Sequence, residues 1–392
     1  MENFDAIILG AGAAGLFCAI EAARRGRRVI VLDHAKAPGE KIRISGGGRC
    51  NFTNLNIAPD RFLSQNPRFA LSALKRFTQW DFIDRMNGWG IAWHEKTLGQ
   101  LFCDGPATQV VSALVRDLHQ AGGQLALNVT LGALRREGQG FVQETSIGAL
   151  RAKSVVVATG GKSIPKMGAT GHGYMIAEQF GLPIVETRPA LVPLTFATQE
   201  LEWMKPLAGV AVDGKVSHGK TSFEEALLFT HRGLSGPAIL QISSYWREGD
   251  RISLDLSQGR DFVAALRSAR SAHPKAALRT VLSSHLPEKI ARHLEDDIEI
   301  AQPMGALSNA TLDQVAAMVG HWVLTPVGSE GYRTAEVTLG GVSTDAIDAR
   351  TLAAKSVPGL HIIGEVVDVT GWLGGYNFQW AWSSGWAAGQ VI

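Results

Sequence analysis

"FDAIILGAGAAGLFCAIEAARRGRRVIVLD", residues 4–33, is an apolar run, a glycine turn, an amphipathic run and a second apolar run. Phe4 to Leu9 reads as a buried strand, because Ala6, Ile7, Ile8 and Leu9 are continuous rather than alternating. Gly10, Gly12 and Gly15 then match G-x-G-x-x-G. Ala13 to Arg25 is expected to be a helix with Leu16, Ala19, Ile20 and Ala23 on one face, ended by Gly26. Val29 to Leu32 is the second strand, and Asp33 follows at its C-terminal end. Gly10 permits a tight turn, Gly12 lets backbone amides approach a pyrophosphate, and Gly15 lets the helix pack on the strand. The helix N-terminus, at Ala13 and Ala14, carries the partial positive charge that suits phosphates. Asp33, 18 residues after Gly15, stands where an acid accepts hydrogen bonds from a ribose, with His34 beside it. A glycine loop serving only packing would not need the acid as well. The acid favours an unphosphorylated ribose, hence FAD or NAD over NADP, and leaves those two open.

Three further stretches repeat the theme. "KIRISGGGRCNFTN", residues 41–54, is read as neither a helix nor an ordinary strand. Its bare backbone, flanked by Arg49, Cys50, Asn51 and Asn54, suits a ligand that needs exposed amides. In "AKSVVVATGGKSIPKMGATGHGYMIAEQFG", residues 152–181, a buried strand over Ser154–Ala158 runs into Thr159, Gly160 and Gly161. Ligands of open parallel sheets sit beyond such strand ends. No second G-x-G-x-x-G occurs, so no separate nicotinamide domain is visible. In "GLHIIGEVVDVTGWLGGYNFQWAWSSGWAAGQ", residues 359–390, a short strand over His361–Ile363 precedes Gly364 and Glu365. Gly374, Gly375 and Tyr376 then lead into a helix from about Asn377, whose N-terminus could face an electron-rich ring edge such as the N1–O2 side of a flavin. Trp380, Trp382 and Trp386 are expected to pack in the core.

At 392 residues the chain is too long for one core, so two or three domains are expected. The fold class is α/β: a Rossmann-like nucleotide-binding domain split by an insertion. Residues 1–190 would form its first part, 191–258 an antiparallel β-domain, 259–325 a helical domain, and 326–392 its C-terminal part. A net charge of +2, from 38 Lys+Arg against 36 Asp+Glu, gives no electrostatic case for nucleic acid. Three cysteines without C-x-x-C spacing fit a reducing compartment. The N-terminus has no basic segment before its apolar run, so no signal peptide is expected and the protein is placed in the cytoplasm. No charge follows Asp368, but Gly, Asn, Gln and Ser interrupt that stretch, so buried interior is expected rather than a membrane span. Histidine spacing suggests no metal site.

"LLFTHRGLSGPAIL", residues 227–240, has Pro237 where a G-x-S-x-G nucleophile elbow needs glycine, which disfavours a serine hydrolase. His231 is the candidate catalytic proton donor, with a structural turn histidine as the alternative. His94 is a lesser candidate. Cys50 is a third, although without a neighbouring cysteine in sequence it reads mainly as a small packed thiol.

Together these motifs, with "HEKTLGQLFCD" and "EGYRTAEVTLGGVS", resemble the YhiN flavoproteins, within the BaiN-like group of NAD(P)/FAD-dependent, aminoacetone-oxidase-like oxidoreductases. The resemblance implies FAD in a split Rossmann-like domain similar to other two-dinucleotide-binding-fold flavoproteins. It implies the diphosphate at Gly10, Gly12, Ala14 and Gly15 and the adenosine ribose at Asp33. Lys41, Ser45, Gly46, Gly47 and Gly48 would run beside the ribityl chain and flavin N5 edge, with Cys50 and Asn51 following. Thr159, Gly160 and Gly161 would form the strand-tip turn. Gly364, Glu365, Gly374, Gly375, Tyr376 and Asn377 would lie at the ribityl and pyrimidine end. The implied activity is a hydride transfer through flavin N5, linked to NADH or NADPH, on a small organic substrate that the group does not fix. A flavin-dependent nucleic-acid modifier and a non-catalytic FAD-binding module are the alternatives.

Overall fold

The N-terminal apolar run is strand β1 (Glu2–Leu9), followed by helix α1 (Ala13–Arg24) and strand β2 (Val29–Leu32) in a computed structural model that describes residues 2–392. β1 pairs in parallel with β2, Leu9 facing Leu32, and on its other side with Leu150–Val157, Leu9 facing Val157. Gln124–Ala126 extends the parallel sheet beyond β2, and Leu360–Ile362 pairs in parallel with Leu150–Val157. Gly140–Thr145 and Leu131–Glu137 complete it as antiparallel strands. Ile7, Ile8, Leu9, Val155, Val156 and Val157 are fully buried, as a parallel sheet covered on both faces requires. Because the parallel strands run one way, the segments after Leu9, Leu32, Val157 and Ile362 all emerge at one sheet edge. The motifs expected from sequence to hold a nucleotide begin in those segments.

The chain divides into two units, one reaching to Arg188 and resuming at Val337–Ile392, the other Pro189–Glu336. In the first, the C-terminal helix Tyr376–Gly389 packs on α1. A Cβ added at Gly385 would lie 2.6 Å from the Ala14 carbonyl oxygen, and one at Gly389 2.9 Å from that of Cys18. Two glycines one turn apart therefore bring the helices together backbone to backbone. The same helix carries the expected core tryptophans. Trp382 stacks on Phe82 with ring centroids 4.2 Å apart, and its indole donates to the Phe52 carbonyl at 2.8 Å. Trp380 donates to the Gly364 carbonyl at 3.0 Å, and Trp386, half-buried, stacks on Phe77. The uncharged C-terminal stretch is thus largely interior, and no helix among the described residues is long and apolar enough to cross a membrane.

The second unit holds a sheet whose pairings are antiparallel, built on the long hairpin Ala211–His218 and Thr221–Thr230. Its helices Phe262–Ala272, Leu278–Leu282, Glu288–Asp297 and Asn309–Gly320 form an excursion between two neighbouring strands. After them Trp322–Leu324 returns to pair with Ile252–Asp255. Trp203, His293 and Trp322 cluster, with ring centroids 4.9 Å from Trp203 to each of the others and 5.7 Å between those two, so the excursion is fastened to the sheet by aromatic contacts.

Removing one of the two fully buried indoles of the first unit, Trp382→Ala, is expected to destabilise it by about 3–5 kcal/mol. Chemical denaturation followed by fluorescence or circular dichroism should show the midpoint falling accordingly; an unchanged midpoint would contradict this packing.

Candidate functional site

The turn after β1 separates packing glycines from a ligand glycine. At Gly10, with φ +112°, an added Cβ would lie 2.4 Å from the Ala158 carbonyl oxygen, and one at Gly15 2.0 Å from that of Gly10. Both are bare because backbone presses on them. Gly12 has an ordinary φ of −82°, and a Cβ there would meet nothing within 4 Å. The fold does not require it, so close approach of a ligand is the physical reason left. Asp33 accepts from the Ala11 N–H at 2.6 Å and the Ala35 N–H at 2.8 Å, so its carboxylate also pins the glycine turn. His34, exposed, lies 3.4 Å from Asp33. Gly364, with φ +73°, approaches Ala14: its added Cβ would be 3.0 Å from the alanine methyl.

The stretch from Lys41 corrects one expectation. Glu40–Gly48 is helical, here α2, with a break at Ser45 (ψ 145°), Gly46 (φ 57°) and Gly47 (φ 66°). Nothing from Lys41 to Ile44 breaks a helix and Glu40 suits its first turn, so the helix runs until the glycines release it. Asn51–Asn54 is a buried strand, β3. Of the three glycines, Gly46 is sterically required, since its Cβ would lie 2.6 Å from the Phe102 ring; at Gly47 there is open space. Gly46 and Gly47 are exposed and left-handed, and Gly48 has φ +84°.

One carboxylate ties the distant motifs together. Lys41 Nζ donates to Glu365 Oε2 at 2.7 Å and to Ser163 Oγ at 2.6 Å. Glu365 Oε1 accepts from the Thr338 N–H at 2.9 Å and from Ser163 Oγ at 3.1 Å. Gly161 has no side chain because a Cβ would lie 2.6 Å from Glu365 Oε1 and 2.4 Å from Thr338 Oγ1. Ser163 and Thr338 were not singled out from sequence, although both sit inside quoted motifs. At the other end the Asn51 and Gln100 amides pair at 3.1 Å. Gly374 (φ +103°) packs on Gln100, and Gly375 (φ +95°) lies so close to β3 that a Cβ would be 2.3 Å from the Thr53 carbonyl oxygen. The helix opening at Tyr376 has no side-chain N-cap, and its N-terminus carries the partial positive charge of the helix dipole. Asn377 closes the preceding loop by bonding Gly371 N and O at 2.8 and 2.9 Å.

Cys50 is buried with φ +49°, and its thiol hydrogen-bonds that of Cys103. A partner absent from the local sequence is therefore present across the strand pair. The bond from Cys50 draws the Cys103 thiol below its usual range, while the same contact and burial push Cys50 well up. His231 lies in the second unit, at the exposed turn between Thr221–Thr230 and Gly233–Ser235. His94, in the first, has its Nδ1 2.6 Å from Asp104 Oδ1 and stacks on Phe102. No cluster among the described residues has the make-up of a metal site.

The residues fit FAD. Thr159 Oγ1 is buried without a partner at the strand tip, Gly12 and Gly160 face open space, and a carboxylate and an ammonium stand at Asp33 and Lys41. The turn Gly10–Gly15 would hold the diphosphate and Asp33 the ribose. Lys41–Asn51, Thr159–Gly161 and Gly364–Asn377 would take the ribityl–flavin half. Fold and site thus define a Rossmann-type, FAD-binding flavoprotein of the oxidoreductase class.

The description "HI0933-like protein Rossmann domain" matches residues 4–391, and the chain belongs to that family. It is 50% identical over 401 residues to a ribosomal RNA dihydrouridine synthase of Escherichia coli (strain K12), covering 100% of this chain and 98% of the relative. It is 29% identical to a 3-dehydro-bile acid delta(4,6)-reductase of Clostridium scindens, covering 98% of each. A 3-ketosteroid-delta4-(5alpha)-dehydrogenase from Rhodococcus jostii RHA1 shares the fold at a TM-score of 0.51 and 16% identity, over 99% of this chain and 97% of that one. The two sequence relatives support the family resemblance, and neither is named an aminoacetone oxidase.

The two kinds of glycine should part on substitution. Gly12→Ala is expected to leave thermal stability within about 0.5 kcal/mol of the parent while FAD content falls, because the methyl enters space left for the ligand. Gly15→Ala is expected to lower stability itself, by roughly 1–3 kcal/mol, because it meets backbone. Absorbance of bound flavin and the melting temperature of flavin-stripped protein separate the two; equal behaviour would contradict the assignment.

Proposed function

We propose that the protein is a flavin-dependent reductase that converts a uridine of ribosomal RNA to dihydrouridine. The carrying observation is 50% identity over the whole chain to a protein of that activity. The nucleic-acid alternative is preferred here to the small organic substrate implied by the resemblance, since a net charge of +2 averages over the chain and leaves local basic patches unseen. FAD, when bound, supplies two-electron hydride chemistry. NADH or NADPH is the proposed reductant, docking without a Rossmann fingerprint of its own.

The chain's residues orient and protonate. The Lys41–Glu365 pair would fix the loop beside the ribityl chain, and the N-terminus of the helix from Tyr376 would favour negative charge developing on the flavin. Saturating a uracil C5–C6 bond also consumes one proton. His231 is the candidate donor from sequence; His94 is a second, its Nδ1 held by Asp104 so that Nε2 is the exchanging atom. The bile-acid relative supports a second reading, saturation of a ring double bond in a steroid-like substrate. Both readings reduce a carbon–carbon double bond.

Purified holoprotein, incubated with NADH or NADPH and ribosomal RNA lacking the modification, should yield a nucleoside two hydrogens heavier than uridine after digestion and mass spectrometry. RNA left unmodified while the donor bleaches the flavin would overturn the RNA reading, and turnover of a conjugated steroid ketone would then favour the second. Replacing the true donor, as His231→Gln or His94→Gln, should lower kcat at least ~100-fold with FAD content kept; if neither variant does so, neither histidine is the donor.

A further inference from the structure

We infer that Cys50 and Cys103 form an oxidation site, a cross-strand dithiol that hydrogen peroxide closes into an intrachain disulfide. The inference does not rest on the RNA reading. β3 pairs antiparallel with Gln100–Cys103, Asn51 facing Phe102, and the Cys103 N–H donates to the Arg49 carbonyl at 2.9 Å. Cys50 and Cys103 each adjoin that paired couple, near enough for their thiols to interact. Opposed residues such as Asn51 and Phe102 have Cα atoms roughly 4.5–5.5 Å apart, and the cysteines are their immediate chain neighbours. A disulfide takes about 4.4–6.8 Å, so closure asks for little backbone movement.

Two local features fix the pair. Cys50 holds a left-handed φ of +49°, uncommon for a residue with a side chain, and its thiol also bonds Ser45. The hydrogen bond from Cys50 favours the thiolate at Cys103, which makes Cys103 the nucleophile. Cys18, the remaining free cysteine, is buried in α1 with its thiol pushed up by burial, and serves as an internal reference.

The chemistry balances with peroxide as the oxidant. The Cys103 sulfur takes one peroxide oxygen as a sulfenic acid, and the other leaves as water. The Cys50 sulfur then attacks that sulfenic sulfur and the second oxygen leaves as water, the two thiols having lost two electrons and two protons to a reduced peroxide. A small uncharged oxidant suits a buried pair, and reduced flavins generate it with dioxygen. The bond formed would tether the residue behind the Gly46–Gly48 turn to the strand that carries Gln100.

Folded holoprotein should be treated with stoichiometric hydrogen peroxide, quenched with catalase, unfolded in iodoacetamide, digested and weighed. The expected result is Cys18 alkylated and Cys50 and Cys103 recovered as one cross-linked pair two hydrogens lighter than the free peptides. Dithiothreitol should restore both thiols. In Cys50→Ser the cross-link should vanish, and dimedone should trap a sulfenic acid on Cys103. Cys50 and Cys103 alkylated as fully as Cys18 after peroxide would overturn the inference, as would a cross-link that forms only once the protein is unfolded.

Discussion

Backbone pressed on backbone, with no Cβ between, is the constraint from which the first unit is built. Gly10 and Gly15 seat α1 against the tips of β1 and Leu150–Val157, and Gly385 and Gly389 seat the C-terminal helix against α1. Interiors packed to crystal density cannot absorb a methyl where the free distance to backbone is 2.0–2.9 Å. The position of the α1 N-terminus, and so of the phosphate-facing amides, follows from the first pair. The delivery of Gly374 and Gly375 to β3 follows from the second.

Glu365 does for the polar groups what those glycines do for the backbone. Its carboxylate accepts from Lys41, Ser163 and Thr338, residues brought from three separate parts of the chain. A partly buried ion pair is a poor source of net stability, because desolvation offsets most of the Coulomb attraction. Its geometric selectivity is another matter: the carboxylate is satisfied only when the helix α2, the Thr159–Ser163 turn and the strand bearing Thr338 have all arrived. Asp33 has a similar double character, holding the Ala11 amide with one oxygen and the Ala35 amide with the other.

Much of the fold was legible because its signals are local. The β1–α1–β2 unit announces itself through unbroken apolar strands and glycines at fixed spacing, and Asp33 follows at a readable offset. Where partners come from far along the chain, no pattern could show them. Ser163 is an ordinary serine until Lys41 reaches it, and Cys50 looks solitary until Cys103 lies across a strand pair. The helical start of α2 was hidden for the opposite reason: three glycines dominated a stretch whose first residues are good helix formers. In the second unit, the return of Trp322–Leu324 to the sheet is invisible to periodicity, since strand pairing across a helical excursion leaves no mark on the residues between. Charge summed over a whole chain likewise says little about a substrate met by one face of it.

The separation of these contacts has a consequence in time. Lys41 and Glu365 are 324 residues apart, and the cradle they define lacks one wall until both exist. A ribosome making this chain can release a finished β1–α1–β2 turn early, yet the contacts on Glu365 cannot form before that residue has left the exit tunnel. The polar tie between these segments is therefore made late. The second unit, complete in sequence by Glu336, is free to fold first and wait for it.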